Sequence, residues 1–120
     1  MHELSIAQGL CAQLGALARE HGASRIHRVE LDVGALSNVV PSLLRQAFEV
    51  LQESIDLITQ AELVIHEIPL VVACAECKKD HELKEFVFQC PDCGSTRLDV
   101  KQGEDLLLRQ VELETEEQPG

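Results

Sequence analysis

Two cysteine pairs constrain this chain more than any other feature. They read Cys74-Ala-Glu-Cys77 and, after a spacer of twelve residues, Cys90-Pro-Asp-Cys93, followed by Gly94. Two C-x2-C pairs supply four thiolates, the tetrahedral set that zinc prefers, each pair wrapping one half of the ion. Two intervening residues let the backbone turn until both sulfurs and nearby amide N–H groups face one metal. Pro91 stiffens the second turn, and Gly94 supplies backbone freedom just after it. A twelve-residue spacer suits two short strands and a turn, so the spacing predicts a zinc ribbon. Accidental disulfides or redox pairs are the bland alternative. A rubredoxin-type iron centre is another, and it fits poorly with three Phe and neither Tyr nor Trp, because such sites sit in aromatic pockets. Four thiolates close the coordination sphere, so the expected zinc is structural and not catalytic.

A ribbon of about thirty residues buries too little apolar surface to fold alone and leans on its metal, whose binding supplies on the order of 10–16 kcal/mol in small peptides. The remaining residues suffice for one small core. Charge then narrows the function. Lys and Arg number 10 against 21 Asp and Glu, a formal charge of −11. Zinc ribbons are common in nucleic-acid machinery, yet a phosphate-binding surface needs clustered cations. Here Lys78, Lys79, Lys84 and Arg97 are diluted by Glu76, Asp80, Glu82, Glu85, Asp92 and Asp99, which disfavours nucleic-acid binding. The start, Met1-His2-Glu3, lacks the basic region of a signal peptide, and no apolar run is long enough for a membrane span. Metal-spaced cysteines suit a reducing, cytoplasmic setting. The odd Cys11 sits at helical spacing with Leu10, Leu14 and Ala18 and reads as a small core residue.

Residues 4–21 carry the apolar spacing of an amphipathic helix, with Ser5-Ile-Ala-Gln8 a capping-box candidate that puts the start at Ser5 or a turn earlier, and Gly22 a C-cap signal. Ile26 to Val33 alternates, with Val29, Leu31 and Val33 on one face and Arg28, Glu30 and Asp32 on the other, a half-buried strand. Pro41 suits the first position of a second helix whose buried stripe is Leu44, Ala47, Phe48 and Leu51. Ser37 or Asn38 could assist that start. Ala61 to Ile68 reads as a second strand ended by Pro69, and Leu106 to Leu113 as a third, too short and apolar to stand alone. Its return to the first sheet makes the ribbon an insertion; extension of the ribbon itself is the alternative. The expected fold is therefore α+β. A discontinuous two-helix, three-strand domain spans 1–69 and 104–114, an inserted four-cysteine ribbon spans 70–103, and 115–120 forms a flexible acidic tail.

No nucleophile elbow, phosphate-binding loop or dinucleotide fingerprint is present, so no catalytic constellation emerges. His2 stands out for chemistry available only at a chain start. The α-amine, the deprotonated His2 amide and the His2 imidazole close adjacent chelate rings on one ion. Nitrogen donors in a plane suit Ni(II) or Cu(II) better than Zn(II). Glu3 adds an amide and a carboxylate nearby. The bland alternative for His2 is a solvated chain end. His27, His66 and His81 read as ordinary surface residues; His81 could replace a thiolate on zinc, but four cysteines make that unnecessary.

Met1-His2-Glu3-Leu4-Ser5, Val33-Gly34-x-Leu36-Ser37, Ala47-Phe48-Glu49, Ala61-Glu62-Leu63 and the two cysteine pairs together resemble the HypA family (with its HybF paralogues) of nickel-insertion accessory proteins in [NiFe]-hydrogenase maturation. The resemblance covers nearly the whole chain, excluding the tail. It implies a non-enzymatic nickel metallochaperone with Ni(II) at Met1, His2 and Glu3 and structural zinc at Cys74, Cys77, Cys90 and Cys93. It also implies delivery to the hydrogenase large-subunit precursor in cooperation with the GTPase accessory protein HypB. Some family members use a side chain from the loop before the second helix. Here that loop, Asn38-Val39-Val40-Pro41, holds no carboxylate. A homodimer by exchange of a helix or strand is compatible with so small a chain. The rival reading is a zinc-ribbon interaction or regulatory module without transferable metal.

Overall fold

The computed structural model describes residues 2–83 and 88–115. The expected ligand Met1 and residues 116–120 of the expected tail lie outside the described residues.

The first helix, α1, runs His2–His21, three residues further towards the chain start than Ser5. Ser5 therefore sits inside the helix and does not cap it. Glu3 instead lies in the first turn, where a carboxylate complements the positive helix end. Ala7, Leu10, Leu14 and Ala18 form its buried stripe. Gly22 ends the helix at φ +66° and donates its amide to the Arg19 carbonyl at 3.3 Å, the left-handed cap that glycine adopts without a Cβ penalty.

Strand β1 (Ala23–Gly34) follows at once and becomes the centre of a three-stranded sheet, between β2 (Glu62–Ile68) and β6 (Leu106–Thr115). Val29, Leu31 and Val33 face the core as the alternation predicts. Ile26 is also fully buried, although it is three residues from Val29. A register shift against β6 between Ile26 and Arg28 reconciles the two, because one extra residue returns Ile26 to the inner face. β1 pairs in parallel with β2 (Glu62–Ile68), from Arg28↔Glu62 to Gly34↔Ile68. The parallel pair needs a crossover, and helix α2 (Pro41–Gln52) provides it. Its Leu44 and Phe48 are fully buried.

Pro41 opens α2 as expected, but neither Ser37 nor Asn38 caps it. Ser37 Oγ donates to the Gly34 carbonyl at 2.7 Å, and Asn38 takes a left-handed φ of +63°. The N-cap is Val40, which has no side-chain bond to offer. Its amide N–H donates to Glu3 Oε2 at 3.2 Å, tying the start of the chain to the start of the second helix.

A second sheet, ordered β4-β3-β5, is built from β3 (Leu70–Cys74), β4 (Asp80–Leu83) and β5 (Leu98–Gln102), all antiparallel to β3. The last strand, β6 (Leu106–Thr115), pairs antiparallel with β1. The four-cysteine ribbon thus lies between two strands of an α+β sheet. β6 reaches Thr115, which pairs with Ala23, so Thr115 belongs to the sheet and not to a tail. The chain leaves the first sheet at Pro69 and returns at Gly103, and the two crossings lie close together. A Cβ on Gly34 would collide with the Gly103 carbonyl group, and one on Gly103 would meet Pro69 O at 2.6 Å. Leu36 N donates to Gly103 O at 2.7 Å and Gly34 N to Asp105 O at 2.9 Å. This junction joins the ribbon to the loop that leads into α2.

Candidate metal centres

The four ribbon cysteines come together. Cys74 closes β3, Cys77 lies in the turn after it, and Cys90 and Cys93 occupy the turn before β5. All four sulfurs lie within 4.8 Å of one another. Cys74 and Cys93 sulfurs are 3.5 Å apart, and Cys77 and Cys90 sulfurs 3.7 Å. Four sulfurs about 2.3 Å from one zinc at tetrahedral corners stand roughly 3.8 Å apart, so the set fits the ion. The two knuckles repeat one backbone pattern. Lys78 N donates to Cys74 O and Gly94 N to Cys90 O, each at 2.9 Å. Both donors are left-handed, Lys78 at φ +59° and Gly94 at φ +76°. Gly94 announces this in the sequence; Lys78 does not.

The thiols also show why a cation belongs between them. Cys74 accepts a hydrogen bond from the Cys77 amide, with a further contribution from the Glu76 amide, and its pKa falls to about 6. The Ser95 amide favours the Cys93 thiolate too. The neighbouring Cys74 and Cys90 sulfurs and burial overcome that and push Cys93 up to about 12. Sulfurs packed this closely cannot all ionise unaided, and a divalent ion at their centre removes the conflict. His81 is not a plain surface residue. Its side chain is 13% exposed, and Nε2 lies 3.5 Å from Cys77 Sγ and 3.9 Å from Asp92. That makes it a direct neighbour of one of the four clustered sulfurs.

At the chain start, His2 opens α1 with its side chain 51% exposed, and its Nε2 is 3.3 Å from Glu3 Oε2. Glu3 itself is buried, 5% exposed. The hydrogen bond from Val40 holds its carboxyl below the usual carboxylate range against the opposing effect of burial, with help from its own amide and His2. The tie of this carboxylate to Val40 is not legible in the sequence, because nothing local links positions 3 and 40. Two further histidines are paired with carboxylates. His66 Nε2 lies 2.8 Å from Glu30, and His27 Nε2 lies 3.0 Å from Glu114. Among the described residues, the four cysteines are the only group of three or more side chains clustered for a metal, and no helix is long and apolar enough to cross a membrane.

A family model for HypA, described as hydrogenase/urease nickel incorporation, metallochaperone, matches residues 1–113. The chain is 40% identical over 118 residues to a hydrogenase maturation factor HypA of Shewanella sp. (strain MR-7), covering 98% of this chain and 99% of the relative. It is 36% identical over 116 residues to the HypA of Aquifex aeolicus (strain VF5), covering 97% and 100%. The solution structure of the nickel metallochaperone HypA from Helicobacter pylori superimposes with a TM-score of 0.67 at 26% identity, covering 95% of this chain and 98% of that one. A second solution structure of a HypA protein gives 0.71 at 27% identity, covering 97% and 98%.

Proposed function

Because the chain belongs to the HypA family of nickel-incorporation metallochaperones, we propose that it carries Ni(II) at its N-terminus and holds zinc, separately, in the ribbon. The family's role is accessory and not enzymatic. Cys74, Cys77, Cys90 and Cys93 would hold the zinc, and that ion supplies fold stability where the ribbon's own core is small.

Nickel is cargo and needs a site that can let go. The Met1 amine, the His2 amide nitrogen and the His2 imidazole are joined by short covalent links, so little entropy is lost in gathering them. The first amides of an α-helix have no intrahelical acceptor, and the positive helix end favours a deprotonated nitrogen there. The same helix end opposes a dication, and the Glu3 carboxylate offsets that charge. The observation that carries this reading is the seat of Glu3 on the Val40 amide. It anchors the chain start while leaving His2 half in solvent. Glu3 is thus a nickel ligand candidate through its amide, with its carboxylate engaged in holding the site.

Release would be to the [NiFe]-hydrogenase large-subunit precursor, with the GTPase accessory protein HypB as collaborator, in the cytoplasm. Calorimetry with Ni(II) tests the site. His2→Ala should abolish binding while zinc content stays unchanged, and an N-terminal tag should weaken binding nearly as much although it alters no side chain. Unaltered nickel affinity in both variants would defeat the proposal.

A further inference from the structure

Strand β6 pairs with β1 along one edge, and among the described residues no strand covers the other. An open edge presents unpaired N–H and C=O groups, and proteins blunt such edges with charges, prolines or covering side chains. Beside β2, the sheet's other outer strand, Arg45 donates to the Leu63 carbonyl and Gln52 to the Ala61 carbonyl, each at 2.8 Å, and Pro69 follows the strand. β6 has no such cover. It carries charges from Arg109 onward but begins Leu106-Leu107-Leu108, so the part nearest the ribbon is unguarded. Hollows flank that part on both faces of the sheet. On the inner face, a groove of about 230 Å³ lies between α1 and β6, lined by Ile6, Gly9, Leu10, Leu106 and Leu108. On the outer face, a cleft of about 350 Å³ lies between β6 and the ribbon strand β5, with Ile68, Val100 and Leu107 in its wall.

We propose that the free edge of β6 over residues 106–110 takes up an extended segment of another protein as a fourth strand, with apolar and basic side chains alternating along that segment. Successive residues of a strand point to opposite faces, so a segment laid here places alternate side chains in the two hollows. In strand addition of this kind, main-chain hydrogen bonds supply affinity and the pockets for alternate side chains supply selectivity. The inner groove, walled by aliphatic side chains, takes the apolar residues. The outer cleft takes the cations. Asp32 and Arg109 neutralise one another there at 2.7 Å, which leaves Lys101 against Glu104 and Asp105. The charge of −11 on the whole chain favours a basic segment further and repels a second copy of the chain.

NMR titration of the zinc-loaded full chain with the peptide acetyl-Lys-Val-Lys-Val-Lys-Val-amide tests this. Amide signals of residues 106–110, Ile6 and Gly9 should shift together. Methylating the backbone nitrogens of the valines, or those of the lysines, should abolish binding in one case and spare it in the other, because successive N–H groups of a strand point to opposite edges. A Cβ at Gly9 meets nothing within 4 Å, so Gly9→Leu fills the groove without disturbing the helix. That variant should weaken the peptide at least tenfold while zinc content, nickel affinity and circular dichroism stay unchanged. Shifts scattered over the acidic surface, equal binding by both methylated peptides, or undiminished binding to Gly9→Leu would overturn the proposal. So would a free chain already paired through this edge, which would make a second copy the occupant.

Discussion

Lys78 holds a backbone conformation that its side chain resists. It occupies in the first knuckle the place that Gly94 occupies in the second, and both are left-handed. A non-glycine residue there costs roughly 1–2 kcal/mol. Lys78→Gly should therefore stabilise the zinc-loaded ribbon by about 1 kcal/mol, read as slower zinc loss to a chelator; faster loss would show that the Lys78 side chain holds the turn. Glu3 makes the opposite case, a side chain whose contact is worth keeping. Its depressed pKa, with that of Glu30, which His66 chiefly lowers, contributes to the acid dependence of the α+β part. A carboxyl lowered on folding contributes stability above its unfolded value, here 4.5, and loses that contribution as pH falls through the lower folded value. Unfolding midpoints should thus fall as pH drops below about 4.5. Glu3→Ala should flatten that dependence and weaken nickel binding most, while Glu3→Gln, which keeps an acceptor for Val40 but removes the charge, should recover only part of the affinity. Equal losses in both variants would instead make the charge on Glu3 the decisive property.

At the level of strands and helices, the ends of the ribbon matter most. β6 covers the open edge of β1 with Leu106, Leu108, Val111 and Leu113, all packed on the core. We propose that 1–69 with 104–115 form one domain and 70–103 another. Truncation after Gly103 should then bare the β1 edge and the apolar faces of the first sheet and cause aggregation. A soluble, cooperatively folding fragment 1–103 would contradict that division. Much of this architecture was legible. Leu44, Phe48 and Leu51 keep helical spacing behind Pro41, Val29 to Val33 alternate, and cysteine spacing is a local signal. Ile26 was not, because a bulge defined by the neighbouring strand resets its face. Nor was the Gly34–Gly103 crossing, which depends on two chain segments meeting.

Across the whole molecule, two metals would sit at two places with unlike chemistry: four soft sulfurs in a closed knuckle pair, and nitrogen donors on the acidic protein's N-terminal end. A surface of charge −11 raises the local cation concentration at either site, so nickel capture should slow as salt rises. Fourfold cysteine ligation would make zinc loss, and not nickel loss, the event that unfolds the ribbon. Any single Cys→Ala change among Cys74, Cys77, Cys90 and Cys93 should abolish ordered ribbon signals while leaving the α+β core folded. The most direct test is X-ray absorption at both metal edges on protein loaded with one zinc and one nickel. The zinc edge should show four sulfur neighbours and the nickel edge nitrogen and oxygen neighbours only. Sulfur bound to nickel, or zinc displaced as nickel enters, would contradict this two-site arrangement.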